Sequence, residues 1–183
     1  METKKSYSKE IAIPEGVTIN FSNGLITVKH KNNEISRPFN LSNEQIRIDN
    51  GKLAVQAKKQ GKAEKKAIGS LIAHVKNMLT GVTLGHKYVL KICSGHFPME
   101  VSVNNNQLIV KNFFGERVPR VFDIKPGIKV TVNNDRIYVE SHNKELASQA
   151  SADVEQLMRR PGFDARVFQD GIYLVNKDGK ELK

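Results

Sequence analysis

Residues 112–120 (NFFGERVPR) form the segment of this sequence that is best suited to binding a ligand. It contains two phenylalanines, a glycine and two arginines. At a turn, aromatic rings can stack on unpaired bases, and arginine pairs with phosphate oxygens and with ring faces. A glycine beside them lets a ligand approach the backbone closely. This combination suits RNA better than it suits a protein core. We therefore predict RNA contacts from Phe113, Phe114, Gly115, Arg117 and Arg120.

Two further segments place aromatic rings or cations beside residues that break regular structure. Residues 94–98 (SGHFP) present a histidine and a phenylalanine that could form a stacking face, although Phe97 could equally be a core residue. Residues 159–166 (RRPGFDAR) place three arginines around a Pro-Gly break, a pattern suited to clamping an RNA backbone. The alternative for this loop is three solvated surface arginines. The RNA-binding residues predicted from these segments are His96, Phe97, Arg159, Arg160 and Arg166.

A lysine-rich segment leads into the first predicted helix. It contains Lys58 and Lys59, followed by Lys62, Lys65 and Lys66. Lysine near a helix N-terminus opposes the helix dipole, so this placement invites another reason. A phosphate contact is one reason, and a solvated helix face is the alternative. Lys62, Lys65 and Lys66 are included among the predicted RNA-binding residues.

The sequence shows no pattern typical of a catalytic or metal site. Its five histidines are scattered without ligand spacing, and its single cysteine argues against a zinc site. The glycines do not form a phosphate-binding loop, and no nucleophile elbow occurs. We therefore predict no enzymatic activity, no metal, no cofactor and no small-molecule substrate.

The composition indicates a nucleic-acid partner in the cytoplasm. The chain has 183 residues, a net charge of +10 and a pI of about 9.7. Lysine and arginine placed on phosphates release counterions, although simple solubility is an alternative reason for such a charge. No apolar run approaches the ~20 residues of a membrane helix, and the N-terminus lacks the apolar core of a secretory signal. We expect a cytoplasmic protein with no membrane partner.

The elements that must position these residues occur twice along the chain. Residues 25–29 (LITVK) recur as residues 108–111 (LIVK), with their leucines aligned. Residues 46–55 (IRIDNGKLAV) recur as residues 130–139 (VTVNNDRIYV). The displacement is 83 or 84 residues, which is about the length of a small domain and indicates one fold duplicated.

Each copy reads as short strands followed by one amphipathic helix. The first helix has its apolar stripe over residues 68–79 and is predicted to end with Gly81 just after its cap. The second has its stripe over residues 146–158 and is stopped by Pro161. The predicted fold class is α+β, two tandem repeats of a small antiparallel β-sheet packed against one helix. The predicted domains are residues 1–84, with a short flexible tail over residues 1–10, and residues 85–183, the main RNA-binding domain.

The second copy adds a terminal β-hairpin that the first lacks. Its predicted strands are residues 166–168 and residues 172–175, with Asp170 and Gly171 near the turn. Net charge is also uneven, at +7 for residues 1–84 and +3 for residues 85–183. The larger charge of the first domain sits awkwardly with RNA binding by the second, so local geometry must decide between them.

Four segments give the chain a family resemblance. They are residues 74–85 (HVKNMLTGVTLG), 96–99 (HFPM), 112–117 (NFFGER) and 168–173 (FQDGIY). In these segments, their order and their spacing, the sequence resembles the universal ribosomal protein six of the large subunit, in its archaeal and eukaryotic form. The similarity extends over about residues 14–175.

The resemblance implies a structural protein of the large ribosomal subunit that supports translation. Its implied partners are large-subunit ribosomal RNA, near the sarcin–ricin loop and the base of the factor-binding stalk, and ribosomal proteins at the stalk base. It also implies that the second domain makes most of the RNA contacts. The positions that match the family's motifs are His96, Phe97, Asn112, Phe113, Gly115, Arg117, Asp170, Gly171 and Tyr173.

A protein-binding adaptor is the alternative function from another class. Two similar domains with exposed sheet edges could recruit partner strands by β-augmentation. Such binding would survive nuclease treatment and depend little on salt, which separates it from binding to RNA.

Overall fold

The structure is a computed structural model that describes residues 7–40, 44–49, 51–57, 61–164 and 166–182. The chain forms two compact units, Met1–Leu84 and Gly85–Lys183, here named unit 1 and unit 2. Each unit has antiparallel sheets, one long helix and its own hydrophobic core, so the predicted α+β tandem-repeat fold class is confirmed. Two lysines of the predicted lysine-rich segment, Lys58 and Lys59, lie outside the described residues.

Unit 1 contains two three-stranded sheets and one helix. Alternating apolar residues turn one face of each strand toward the core, which is the reason these segments form half-buried strands. The strand orders are β1-β6-β5 and β2-β3-β4. The elements are β1 (Ser8–Ala12), β2 (Val17–Ser22), β3 (Leu25–His30), β4 (Asn33–Pro38), β5 (Glu44–Asp49), β6 (Lys52–Ala57) and α1 (Lys62–Thr83).

Helix α1 buries the apolar stripe that the sequence predicts, including Ile68 and Val75. It ends later than predicted, because Gly81 lies buried inside its last turn. The cap is Leu84, and the following Gly85 has a φ of +76°, the left-handed conformation that glycine adopts easily. In the described part of the chain, no helix is long and apolar enough to cross a membrane.

The predicted flexible tail over residues 1–10 is wrong for its second part. Ser8–Ala12 forms β1, which pairs with β6 through contacts such as Ile11 opposite Leu53. Tyr7 packs against the unit 1 core. Residues 1–6 lie outside the described residues.

Unit 2 repeats this plan with a larger sheet. The strand orders are β11-β12-β7-β13-β14 and β10-β9-β8. Helix α2 begins at an Asn143 cap, whose side-chain oxygen accepts a hydrogen bond from the Glu145 N–H at 2.9 Å. The elements are β7 (His86–Cys93), β8 (Glu100–Asn104), β9 (Gln107–Lys111), a 3-10 turn (Phe113–Gly115), β10 (Arg120–Asp123), β11 (Lys129–Asn133), β12 (Arg136–Ser141), α2 (Lys144–Leu157), β13 (Gly171–Lys177) and β14 (Lys180–Glu181).

The terminal hairpin of unit 2 exists, but its predicted position is wrong. Its strands are β13 and β14, and the turn between them contains Asp178 and Gly179, both with positive φ. Asp170 and Gly171 are therefore not at the hairpin turn, and the described residues of 166–170 form no strand. The hairpin extends the sheet, because β13 pairs with β7 from Gly171 opposite Cys93 onward.

The repeat is out of step by one residue in one hairpin. The sequence aligns Leu25 with Leu108, yet Leu25 is exposed and Leu108 is buried. The buried residues of β3 are Ile26 and Val28, and those of β9 are Leu108 and Val110. Ile26 therefore corresponds to Leu108. A shift of one residue moves every side chain of a strand to the other face, so it changes which residues of β10 point inward.

Candidate nucleic-acid interface

Three loops of unit 2 meet around a group of aromatic rings. The rings of Phe163 and Phe168 are 4.9 Å apart, that of His96 is 5.4 Å from Phe168, and that of Phe114 is 5.8 Å from Phe163. Phe113 adjoins this group, with its ring centroid 4.7 Å from that of Phe114. We call these five residues the aromatic cluster. It joins the segments 94–98, 112–120 and 159–166, which the sequence selected separately, with Phe168 just beyond the last of them.

Asp170 holds the first of these loops, residues 94–98, in place through hydrogen bonds. Its carboxylate accepts hydrogen bonds from the Gly95 N–H at 2.7 Å and the His96 N–H at 3.0 Å, and it lies 3.1 Å from His96 Nδ1. Burial raises the pKa of the Asp170 carboxyl, but the hydrogen bonds from His96 and Gly95 outweigh it and leave the pKa below its ordinary value. Asp170 is only 5% exposed. Asp170 is therefore a positioning residue in this structure, and its RNA contact stays a prediction.

Backbone conformations that few residues adopt define the second loop. Asn112 has a φ of +61° and donates from its side-chain amide to the Pro98 carbonyl at 3.0 Å, which ties this loop to the first. Phe114 has a φ of +49°, a strained value for an aromatic residue. Gly115 has a φ of +75°, and a Cβ there would lie 3.6 Å from the Phe97 ring. Asn112 and Gly115 therefore shape the turn that presents Phe114 and lies against the loop of Phe97.

Phe113 is a core residue and not a stacking platform. It is 1% exposed and belongs to the hydrophobic core of unit 2. In this structure the ring has no accessible face on which a base could stack, and an RNA contact from Phe113 stays a prediction. Phe114, its neighbour, is half-buried in the aromatic cluster, and Phe97 is exposed. Of these three rings, Phe97 and Phe114 remain available to a ligand.

Arg120 points toward the core of unit 2. This follows from the one-residue shift between the two repeats, described above for β3 and β9. It pairs with Val110 in the ladder of β10 and β9, as buried Ile35 pairs with Val28 in unit 1. An arginine thus takes the place of a core isoleucine. Burying a guanidinium is costly unless every donor finds an acceptor.

The acceptors for Arg120 come from its own loop and from the end of α2. Its Nε and Nη2 donate to the Glu116 carboxylate at 2.9 and 2.7 Å, and its Nη1 donates to the Leu157 carbonyl at 2.5 Å. The guanidinium carbon lies 4.3 Å from the centre of the Phe113 ring. Hydrogen bonds from Arg120 hold the pKa of the Glu116 carboxyl below its ordinary value. Arg120 therefore braces the loop against α2 in this structure, and its phosphate contact stays a prediction.

The other four arginines of the predicted interface are in different states. Arg117 and Arg159 are exposed, and among the described residues their side chains have no hydrogen-bond or ion-pair partner. Arg160 lies over two rings, 4.1 Å from the centre of Phe163 and 5.2 Å from that of Phe114. Arg166 is exposed and pairs with the Asp164 carboxylate at 2.9 Å through Nη2. Exposed ion pairs of this kind are weak, so Arg166 can exchange Asp164 for a phosphate.

Gly171 and Tyr173 lie on β13 beside the aromatic cluster. Gly171 is buried in this structure, and an RNA contact from its backbone stays a prediction. A Cβ at Gly171 would lie 3.1 Å from the Tyr173 hydroxyl oxygen, so the glycine lets the tyrosine ring lie against the strand. Tyr173 itself is exposed. Burial of part of its ring raises the pKa of its phenol, and the acidic groups of Cys93, Asp170 and Glu155 raise it further.

The predicted lysines lie on the first turns of α1 in unit 1. Lys62, Lys65 and Lys66 are exposed. The Lys65 ammonium lies 5.5 Å from the centre of the Tyr7 ring. No side chain caps the helix at Gly61, while Glu64 supplies an acidic group in the first turn. These lysines are accessible point charges, and Lys65 has one ring beside it where Arg160 has two.

Sequence reasoning missed several residues that complete the surface of unit 2. Phe163 and Phe168 are members of the aromatic cluster, and the loops expose Val118 (78%) and Val167 (63%) to solvent. A groove of about 580 Å³ lies beside the cluster. One signal could have found the two rings: five of the eight phenylalanines lie on these three loops. Such clustering outside strands and helices favours a binding surface over a core.

The fold and the site together define a class of protein. It is a small basic protein of two repeated α+β units, and one of these units presents arginines over aromatic rings. A sequence model of the family described as "Ribosomal protein L6" matches residues 97–171. Several curated relatives are named "Large ribosomal subunit protein uL6". The Methanobrevibacter smithii relative is 42% identical over 93% of this chain and 96% of its own length. The Methanocella arvoryzae relative is 40% identical over 92% of this chain and 96% of its own length. The Methanococcus vannielii relative is 36% identical over 95% and 96%.

The chain belongs to the ribosomal protein L6 family. The predicted resemblance is thereby confirmed, because the relatives match at 36–42% identity over most of the chain. Members of this family are structural components of cytoplasmic ribosomes, so the predicted absence of enzymatic activity and the predicted location are confirmed by membership.

Proposed function

We propose that this protein is a structural constituent of the large ribosomal subunit, and that unit 2 binds its ribosomal RNA near the sarcin–ricin loop and the base of the factor-binding stalk. The name of the relatives supports the subunit. The observation that carries RNA binding by unit 2 is Arg160, stacked on Phe114 and Phe163 with its loop held by the aromatic cluster. A guanidinium fixed in this way loses little rotamer freedom when it meets a phosphate.

The proposed mechanism combines phosphate neutralisation with insertion of preformed loops. Arg117 and Arg159 supply free guanidinium groups, Arg160 supplies a stacked one, and Arg166 exchanges Asp164 for phosphate. The exposed Phe97 ring packs on a sugar or an unpaired base. Lys62, Lys65 and Lys66 contribute further phosphate contacts from unit 1. No covalent bond is made or broken in this mechanism.

The position on the ribosome is tested by comparing RNA fragments. The full chain is titrated into one fragment that contains the sarcin–ricin loop, one from the stalk base, and one hairpin of equal length and composition with a rearranged sequence. We expect at least about tenfold tighter binding to one or both large-subunit fragments at physiological salt. Equal affinity for all three would contradict the proposed position.

Neighbouring ribosomal proteins at the stalk base are the proposed protein partners. The adaptor function is distinguished from RNA binding by sedimentation of the full chain with large subunits, before and after nuclease digestion. We expect nuclease and high salt to release the protein, because its contacts are mainly with phosphates. Retention on a protein-only fraction at high salt would favour the adaptor.

A further inference from the structure

The groove beside the aromatic cluster has the size and lining of a ligand site. Its volume of about 580 Å³ falls within the range of roughly 300–1,000 Å³ typical of small-molecule pockets. Met158 and Ile172 form its buried lining, while the rings of Phe163 (41% exposed) and Tyr173 (39% exposed) remain accessible to an occupant. Rings of this kind present faces on which a flat group can stack.

Glu155 supplies the groove with a carboxylate from helix α2. Its Oε1 accepts a hydrogen bond from the Leu174 N–H at 3.3 Å, at a point where β13 departs from regular pairing. Its Oε2 has no partner within the part of the chain that the structure describes. The carboxylate is therefore held in one orientation with acceptor capacity left over. A flat ligand with N–H groups along one edge would use it.

The charges around the groove decide between two kinds of occupant. A carboxylate beside aromatic rings could also hold the cationic side chain of a neighbouring protein. Arg159 and Arg160 line the same groove, however, and their two positive charges outnumber the one free carboxylate. The other carboxylate of the lining, Asp170, is already bound to Gly95 and His96. The balance favours an occupant that is anionic and also carries N–H donors.

We propose that this groove binds a single unstacked guanine nucleotide of the RNA. The guanine edge offers two neighbouring N–H donors to Glu155 and one carbonyl acceptor to Arg159, while its ring stacks on Phe163 or Tyr173. Its phosphate pairs with Arg160. Adenine and uracil lack the two adjacent donors, so the carboxylate selects against them. This inference rests on the proposed function and adds a nucleotide-specific site to it.

The test uses pentamers of RNA with the full chain. Binding of UUGUU is compared with UUIUU, in which inosine lacks only the 2-amino group, and with UUAUU. We expect roughly tenfold or greater preference for guanine over both, because a bidentate contact to a base edge is lost. The Leu174 amide, hydrogen-bonded to Glu155, is followed by NMR and should shift with UUGUU alone.

Two variants place the preference on Glu155. Glu155→Gln keeps an oxygen for the Leu174 N–H but loses one acceptor, and it should lower guanine affinity to the inosine level. Glu140→Gln removes the same charge from β12, where Glu140 pairs with exposed Lys87 at 3.2 Å, and should leave the preference intact. Thermal unfolding checks that both variants remain folded.

Each outcome bears on one claim. Equal binding of the three pentamers, undetectable binding of UUGUU, or a preference that survives Glu155→Gln overturns the guanine site. Binding of an arginine-rich peptide that depends on Glu155 and excludes UUGUU overturns it in favour of a protein partner. Loss of binding to the large-subunit fragments, by contrast, contradicts the proposed function. Normal fragment binding without guanine preference removes the groove proposal alone.

Discussion

The two units are built on one plan and differ in what they bury. The core of unit 1 is formed by aliphatic residues of its strands and α1. Among the described residues, the buried polar side chains all belong to unit 2, and they are His86, Ser141, Ser151 and Asp170. At least three of them fix turns or loops: Asp170 holds residues 95 and 96, Ser141 Oγ donates to the Gly127 carbonyl at 2.7 Å, and His86 Nδ1 lies 2.8 Å from Asp178.

Under the proposed function, the order of its loops and not its total charge distinguishes the RNA-binding unit from its copy. Unit 1 carries +7 against +3 for unit 2. Its excess includes exposed lysines on α1, whose flexible ammonium groups must be ordered when they bind. In unit 2, buried polar groups fix the loops instead. These loops hold arginine side chains in place before a ligand binds. Four experiments test this difference between the units, in order of decreasing expected effect.

The largest effect is expected from removing the buried anchor of unit 2. Asp170→Ala removes the buried carboxylate that accepts the hydrogen bonds of the Gly95 and His96 N–H groups. We expect a loss of about 2–4 kcal/mol in the free energy of unfolding, measured by urea titration, together with weaker binding to RNA. Asp164→Ala, at an exposed site on the same side of unit 2, should change stability by about 0.5 kcal/mol or less. Equal effects of the two would show that Asp170 is not an anchor.

The next effect separates two arginines of one loop. Arg120→Ala removes the brace between Glu116, Phe113 and the end of α2, and leaves the Glu116 carboxylate half-buried without its partner. We expect a loss of about 2–3 kcal/mol in the free energy of unfolding. The slope of log affinity against log salt should stay unchanged while the protein is folded, because the Arg120 guanidinium is already bound by Glu116 and the Leu157 carbonyl. A smaller slope with unchanged stability would identify Arg120 as a phosphate ligand.

A pH titration tests the anchor without changing its shape. The folded pKa of Asp170 lies below its unfolded value of about 3.9, so its stabilising contribution is complete above that value and is lost as pH falls through the folded pKa. We expect the stability of the protein to decrease below about pH 4. Burial raises the pKa of Asp178, but its contacts with His86 outweigh this effect and leave the pKa lowered. Asp178 therefore contributes in the same direction. Asp170→Asn should reduce this decrease, and an unchanged profile would contradict the assignment.

The smallest effect on stability is expected at Arg117. Its side chain is exposed, so Arg117→Ala should change the free energy of unfolding by less than about 0.5 kcal/mol. Loss of one phosphate contact should lower the salt slope of RNA binding by about 0.7–0.9. A filter-binding series over several salt concentrations measures this, with Arg120→Ala as the opposite case. An unchanged slope would remove Arg117 from the interface.

The sequence was sufficient for the fold class because its signals are local. The strand alternation, the stripe of α1 and the second helix all follow from residue spacing, and the β5–β6 hairpin matches its copy β11–β12 in register. The ends of elements were less certain, as Gly81 and Gly85 both fit a helix stop. Only packing of α1 decides that Gly81 is buried within it.

The site could be found from the sequence as a region but not residue by residue. Phe113 and Phe114 are adjacent and chemically identical, and only the folded turn sends the first into the core. Arg117 and Arg120 share one loop, and the register of β10 against β9 decides which one points inward. Asp170 resembled a turn residue because its partners lie far away in the sequence, on the loop after β7. Long-range contacts of this kind leave no periodic signal.

One measurement compares the two units directly. It is the salt dependence of binding to a large-subunit RNA fragment, determined for two triple variants. Replacing Arg159, Arg160 and Arg166 by Ala and replacing Lys62, Lys65 and Lys66 by Ala each remove three positive charges from this chain. We predict that the arginine variant lowers the salt slope by about two and the lysine variant by less than about one, since about 0.7–0.9 is lost per phosphate contact. An equal or larger fall for the lysine variant would contradict the claim that unit 2 is the main RNA-binding unit.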